Sequence, residues 1–508
     1  MKVFLMHADR DFDVEAEPPP NADALIQDLE LETLFDAMAA GDGFLRTIAG
    51  KGLLAGLRTP EEIRYRQHAL ADCLAHEAAV REIYGLAVEA VDAPRKASLF
   101  FGLRHASPGM ILHSCVRVLE VLVDVLERLR KLADEDAPNF RSEAFGRFFG
   151  MLQAELDDEY LGVLRRYLKE LKFDRGELMS VRLGRGNKGV GYVLRRPRQR
   201  GWLERLPGQG PPSRSFTIPP RDEAGFKALD DLRGRGINLV ANAVGQSTDH
   251  IVGFFTVLRA ELAFYLAAVN LHMRLTEKGE PVCFPEPVDA SAQAFLTEGL
   301  YDAALTLHLD PCVVGNDVDA NGRSLVMITG ANQGGKSTFL RSTGIAQLLM
   351  QSGLFAPAAQ LRASVVSGVF THYKREEDKS MDSGKLDEEL ARMSAIADEI
   401  SPGCLLLCNE SFAATNEREG SEIARQVVRA MLDSGVRMFF VTHLFDLAQS
   451  LHAQDGDTNL FLRAERGTGG RRTFSIAEGA PLPTSYGEDS YHRVFGTEAS
   501  TAAERSAG

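Results

Sequence analysis

The sequence predicts a mixed fold: a helical core and lever region carrying a small inserted β segment, followed by a doubly wound α/β domain. Three observations carry this. Val118, Leu122, Val125, Leu129 and Leu132 are spaced 4, 3, 4, 3, the heptad seam of a long packed helix. Apolar and polar residues alternate through Met179, Val181 and Leu183 and again through Val190, Tyr192 and Leu194, with Gly184, Gly186, Gly189 and Gly191 as punctuation, the pattern of a β-hairpin. From about Asp310, apolar runs at 324–329, 404–408 and 437–442 alternate with amphipathic stretches, as in an α/β domain.

In chain order, residues 1–22 form an arm, with an acidic, Pro-rich stretch at 11–20. Residues 23–278 form the helical core and lever: helical spacing fills 23–172, the β insertion occupies about 176–220, and helical spacing resumes from Asp222 to Leu275. Pro281, Pro285 and Pro287 mark the next boundary, and 279–497 is the α/β domain. Residues 498–508, rich in Ala, Ser and Glu, are a disordered tail.

The chain has 508 residues, 44% apolar and 25% charged, enough for several domains each with its own core. Lys plus Arg is 57 against 71 Asp plus Glu, a net charge of −14, so bulk charge does not draw it to nucleic acid. The insertion is the exception. Arg182, Arg185, Lys188, Arg195, Arg196, Arg198, Arg200, Arg205 and Arg214 stand there against Glu204 alone, with Trp202, the single tryptophan, among them. Such a patch suits phosphate contacts, and Trp202 or Tyr192 suits stacking on an exposed base. Nothing in it suggests a recognition helix or finger, so backbone contact rather than sequence reading is expected.

Cys73, Cys115, Cys283, Cys312, Cys404 and Cys408 have neither zinc spacing nor the pattern of a disulfide framework, and are expected as buried free thiols in a reducing compartment. The apolar run at 3–6 is too short for a signal peptide, and the run at 251–258 stops at Arg259, short of the roughly 18 residues a membrane span needs. A cytoplasmic protein with no membrane role is expected.

One motif decides the chemistry. Gly330-Ala331-Asn332-Gln333-Gly334-Gly335-Lys336-Ser337 fits GxxxxGK[ST], with an apolar strand before it and helical spacing at 338–351 after it. Glycines let backbone N–H groups face inward around phosphate oxygens, and a helix N-terminus adds partial positive charge. Lys336 then meets the terminal phosphates and Ser337 ligates Mg²⁺, so ATP and Mg²⁺ are the expected substrate and metal. A second apolar strand ends in Asn409-Glu410, where Glu410 would polarise the attacking water. Asn409 stands where an aspartate usually supports the metal, and losing such a partner costs about 10–100-fold in metal affinity or activity. A third strand ends at His443, which can meet a γ-phosphate or its water.

These motifs, in this order, resemble the MutS family of DNA-binding ATPases. The resemblance rests on 327–330 with Asn332 and 334–338, then Leu340-Arg341, Gly353 with Phe355 and Pro357-Ala358, Val441-Thr442-His443 with Leu447, and Ser485-Tyr486-Gly487. Asp28-Leu29 and Tyr65-Arg66-Gln67 are compatible with that family's helical core. The resemblance implies a P-loop ATPase domain of the MutS/ABC type and a homodimer. It also implies that a loop at 380–385, with Ser383 and Gly384 nearest the match, reaches the other subunit's nucleotide. Asn332 and Thr338 would join the phosphate site, and the insertion would be a clamp on duplex DNA. Ala331 and Asn409 depart from the family pattern, and the Ser-Thr expected after 383–385 is absent. The core-like helices begin by about Asp28, which leaves no room before them for a mismatch-reading domain. The expected protein is a short MutS-like ATPase that couples its nucleotide cycle to DNA in repair or recombination without reading mismatches directly. A nucleotide-switched scaffold with weak hydrolysis, and an ATPase acting on the ribosome, RNA or a protein partner, stand as alternatives. A transporter-type ATPase lacks support, because no Leu-Ser-Gly-Gly-Gln string occurs.

Overall fold

The computed structural model describes residues 1–97, 107–174, 176–196, 215–309, 312–331, 333–375, 384–455, 458–467 and 472–482. Outside them lie Asn332, Ser383, Arg198, Arg200, Trp202, Arg205, Arg214, the 485–487 element and the 498–508 tail. Two compact units emerge. One gathers residues 1–3, 78–140 and 145–261; the other gathers 4–77, 141–144 and 262–508. The prolines suggest a boundary near residue 278, whereas packing groups 4–77 with the sheets and divides the long helix near residue 261.

Helices α1 (Ala22–Asp28), α2 (Leu31–Ala39), α3 (Gly43–Leu54) and α4 (Pro60–Ala75) open the second unit. Two have side-chain caps: the Asp42 carboxylate accepts from the Phe44 and Leu45 amides, and Thr59 Oγ1 accepts from the Glu62 amide with Pro60 at the first helical position. The arm has no regular structure but is docked. The Phe4, Leu5 and Met6 carbonyls accept from Tyr65 Oη (2.7 Å), Tyr265 Oη (2.6 Å) and Arg66 Nε (2.8 Å), and Leu5 and Met6 are buried.

The first unit is helical: α5 (Glu77–Ala97), α6 (Pro108–Asp136), α7 (Glu143–Glu155) and α8 (Asp158–Leu171). The heptad lies in α6, with Val118, Leu122, Val125 and Leu129 buried. On the surface, α8 meets α6 through the Arg165–Glu127 pair, and Lys172 just beyond α8 meets Glu120 at 2.5 Å. These exposed pairs orient the helices more than they stabilise them. The hairpin follows as antiparallel β1 (Leu178–Leu183) and β2 (Gly189–Arg195), with a bulge between Ser180 and Arg182. Helix α9 (Glu223–Glu277) contributes to both units. Its most apolar 18-residue window has a mean hydropathy of 1.6, so by length and composition it meets the membrane criterion, contrary to the expectation from the run at 251–258. Arg259 interrupts the apolar run but not the helix, and 72% of that window is buried inside the fold, as in a core helix.

In the second unit come β3 (Glu286–Val288), β4 (Phe295–Leu300), α10 (Ala303–His308), β5 (Asn316–Asp319), β6 (Leu325–Gly330), α11 (Lys336–Gln351), β7 (Gln360–Ser364), β8 (Val369–Tyr373), α12 (Lys385–Glu399), β9 (Leu405–Asn409), α13 (Glu417–Asp433), β10 (Arg437–Val441), α14 (Phe445–Asp455), β11 (Leu460–Arg466) and β12 (Arg472–Glu478). The larger sheet runs β12-β11-β6-β10-β9-β8, parallel throughout except for the antiparallel edge β12. Residues 325–328 and 438–441 are buried, as expected of strands covered on both faces. Met327, Leu406, Met438 and Phe440 of these strands join Val428 of α13 and Leu447 of α14 in one core. A smaller sheet runs β3-β7-β4-β5. The chain is thus helical in its first half, with mixed sheets in its second, and the three central strands share one carboxyl edge at Gly330, Asn409 and Val441.

Candidate functional site

The loop leaving β6 has its shape enforced by its neighbours. Gly330 has φ +108°, and a Cβ there would come within 2.9 Å of the Ala464 backbone nitrogen on β11. A Cβ at Gly334 would meet the Ala331 carbonyl at 2.9 Å, and Gly335, with φ +92°, faces the Phe474 carbonyl at 3.2 Å. Gly330 and Gly335 thus combine a positive φ with close backbone neighbours, and Gly334 has a backbone oxygen where a Cβ would stand. Gln333 is left-handed as well (φ +58°), and its side chain accepts from the Arg472 guanidinium. Lys336, 4% exposed, donates from Nζ to the Gly330 and Ala331 carbonyls, both at 2.9 Å. Burial pulls its pKa down and the Glu410 carboxylate pulls it back up.

Across from the loop, Ser337 Oγ donates to Asn409 Oδ1 at 2.9 Å. Glu410 leaves β9 with φ +53°, held by its amide donating to the Val441 carbonyl at 2.9 Å. Two residues beyond that carbonyl, His443 brings Nδ1 to 3.9 Å from Glu410 Oε1, beyond hydrogen-bond length. Gln333, Gly334, Gly335, Lys336, Ser337, Thr338, Glu410 and His443 all line one open cleft of about 840 Å³. Apolar residues line the rest of it, Leu305, Leu309, Val313, Val314 and Phe474, together with Lys374 and Cys312. Polar contacts position that lining. The buried Asp302 carboxylate accepts from the Leu305 amide of α10 (3.1 Å) and from Arg341 Nε of α11 (2.5 Å). Arg341 also pairs with Glu30, and Glu280 Oε1 accepts from the Val313 amide at 2.8 Å.

Comparison with known proteins gives two family matches: the MutS2 N-terminal domain over residues 58–278 and MutS domain V over residues 326–489. The second takes in the glycine loop, Asn409-Glu410 and His443. The chain belongs to the MutS family. Its relatives include proteins named DNA mismatch repair protein MutS. The one from Protochlamydia amoebophila is 25% identical over 317 residues, 60% of this chain and 36% of the relative. That from Thermus aquaticus is 31% identical over 175 residues, 34% and 21% of the two chains, and that from a Caulobacter species (strain K31) is 32% identical over 167 residues, 33% and 18%. The matched stretch therefore spans little more than a third of the Protochlamydia relative and less of the other two.

In this MutS-family chain the residues singled out from sequence fall into three groups. Residues 333–338, Glu410 and His443 meet at the cleft, with Asn409 joined to it through Ser337; Gly330 and Ala331 contribute their carbonyls to Lys336. Asn332 and Ser383 lie outside the described residues, and Gly384, at the N-cap of α12, is not part of the cleft lining. The basic residues are on the hairpin. Arg185 and Lys188 flank its turn and Arg182 lies on β1, all exposed. Arg195 Nε donates to Ser180 Oγ at 2.9 Å and keeps its charge, whereas Arg196 is paired with Glu170 of α8, so one cation of the patch already has an anion beside it. Arg198 and Arg200 lie outside the described residues.

Sequence reasoning missed the apolar lining and Lys374, which carry no motif. It expected buried thiols, whereas Cys312 is exposed at the cleft and Cys283 is half-buried. Burial does push the Cys408 thiol up to about 12. Among the described residues, no cluster of three or more His, Cys, Asp or Glu side chains could hold a metal. A hard divalent cation has the two oxygens Ser337 Oγ and Asn409 Oδ1.

Proposed function

We propose that this chain binds and hydrolyses ATP in the cleft above β6, β9 and β10, and couples that cycle to DNA through the basic hairpin. The supporting observation is the convergence on one cleft of a glycine-enforced loop, a buried lysine, a carboxylate and a histidine. The loop has the close backbone approaches a phosphate cradle needs, and the apolar lining of the same cleft suits a purine ring. The Ser337 and Asn409 oxygens fit the oxygen preference of Mg²⁺, which would supply charge neutralisation to the phosphates when bound. Lys336 holds the terminal phosphates. Glu410 orients and polarises the attacking water, and His443 faces the same region. The residues 380–385 of a second copy would complete the pocket, making the working unit a homodimer. The relatives' name points to DNA repair as the setting.

The experiment is ATP hydrolysis and DNA binding across duplex and branched DNA at two salt concentrations. Replacing Arg182, Arg185, Lys188 and Arg195 by Gln is expected to weaken DNA binding and to flatten its logarithmic salt dependence by about 0.9 for every phosphate the hairpin no longer engages. An unchanged affinity and slope would remove DNA from the hairpin's role and favour an RNA or protein partner.

Asn409 favours a second reading, a nucleotide switch with slow turnover. Asp at this position keeps the oxygen that accepts from Ser337 and adds a negative charge beside the metal. Asn409→Asp is expected to raise Mg²⁺ affinity or hydrolysis by about 10–100-fold. If neither changes, the amide is not what limits this site.

A further inference from the structure

Glu410 occupies a segment that the backbone alone disfavours. Glu410 (φ +53°) and Phe412 (φ +64°) are both left-handed without being glycine, so neighbouring contacts must hold the exit of β9 in place. Those contacts converge on one buried group. Ser411, 0% exposed, lies with Oγ 2.7 Å from His372 Nδ1 and 2.8 Å from the His372 carbonyl oxygen. The other ring nitrogen, Nε2, is 3.0 Å from the Glu389 carbonyl oxygen on α12. Phe412 stacks on the imidazole, centroids 5.5 Å apart and planes 24° apart, and the Glu389 carboxylate accepts from the Phe412 amide.

The proton inventory is defined. A carbonyl only accepts, so Nε2 carries the proton toward Glu389. Burial, with Arg392 and Arg375 nearby, holds the ring's pKa down at about 4, so at neutral pH Nδ1 is an acceptor. The Ser411 hydroxyl donates its single proton between Nδ1 and the His372 carbonyl. One imidazole therefore joins β8, α12 and the residue after Glu410. Arg392 of α12 adds a second tie, donating to the Tyr373 carbonyl of β8 at 2.9 Å.

We propose that His372 and Ser411 are positioning residues for Glu410, and that through them the location of α12 sets the aim of the Glu410 carboxylate. The proposal rests on the reading of Glu410 as the group that polarises water.

The test compares Ser411→Ala, His372→Ala, His372→Asn and Glu410→Gln in the full chain. It measures steady-state hydrolysis, binding of a non-hydrolysable ATP analogue by calorimetry, and thermal midpoints. Ser411→Ala removes only a hydroxyl and is informative even if His372→Ala fails to fold. Ser411→Ala and His372→Ala are expected to lower kcat by about ten- to a hundredfold with analogue affinity within twofold, since small misplacements of a catalytic group cost that much. His372→Asn, whose amide reaches the Nδ1 position, is expected to recover part of the loss. If Glu410→Gln abolishes hydrolysis while Ser411→Ala leaves kcat unchanged, the positioning role is overturned. The same holds if affinity, kcat and thermal midpoint all fall together and Asn rescues none of them. If Glu410→Gln itself leaves hydrolysis intact, the reading of Glu410 falls and this proposal falls with it.

Discussion

Glu410→Gln is expected to lower ATP hydrolysis by about 10²- to 10⁴-fold while nucleotide affinity stays within a few-fold, the range in which a positioned acid or base acts. The substitution is nearly isosteric. It keeps the backbone amide that donates to the Val441 carbonyl, so the left-handed exit from β9 has no reason to move. What it removes is charge and basicity. The carboxylate is half-buried at the cleft, 30% exposed, and His443 stands off from it at 3.9 Å, so that pair does not consume it and it remains open to a water. The same charge raises the pKa of Lys336 against its burial. The amide variant therefore leaves Lys336 less firmly protonated, a small effect on affinity beside the loss of the base. Single-turnover hydrolysis at saturating ATP is the measurement. A rate within threefold of the parent would transfer the role of base to another group.

The parts of this site that are legible in sequence alone are local. A glycine loop between an apolar strand and a helix is written in consecutive residues, and β6, β9 and β10 begin and end within a residue or so of the apolar runs that announce them. The heptad of α6 and the alternation of β1 and β2 are periodic signals of the same kind. What sequence does not reveal depends on strand order. Phe474 reaches the glycine loop only because β12 and β11 pair beside β6, and Leu305 and Val313 line the cleft because Asp302 and Glu280 hold their backbones. The Arg196–Glu170 pair, which engages one cation of the basic patch, joins residues 26 apart in sequence, one just past β2 and the other on α8. His372 looks like any strand residue until Ser411 and Glu389 are brought to its two nitrogens. Helix α9 shows the converse: a charged residue ends an apolar run in the sequence, while helix geometry absorbs Arg259 and Glu261 without breaking the element.

Lys336→Met is expected to weaken ATP binding by about 2–5 kcal/mol, the cost of deleting one side of a desolvated charged contact. That corresponds to a loss of roughly thirtyfold to several thousandfold in affinity. Met preserves the length and apolar stem of the lysine, which is 4% exposed, so packing along α11 is retained. The ammonium is lost. Its two acceptors, the Gly330 and Ala331 carbonyls, sit beside an open cleft where water can replace a donor, so the fold loses little by the change. A bound triphosphate has no such replacement: several negative charges would face a loop whose remaining donors are all neutral. Calorimetry and thermal unfolding together separate the outcomes. Weakened binding with an unchanged thermal midpoint identifies Lys336 as the group that meets the phosphates. Unchanged affinity would mean that the loop closes on something other than a polyphosphate. A collapsed midpoint would mean that the two carbonyls, rather than a nucleotide, are what the buried ammonium serves.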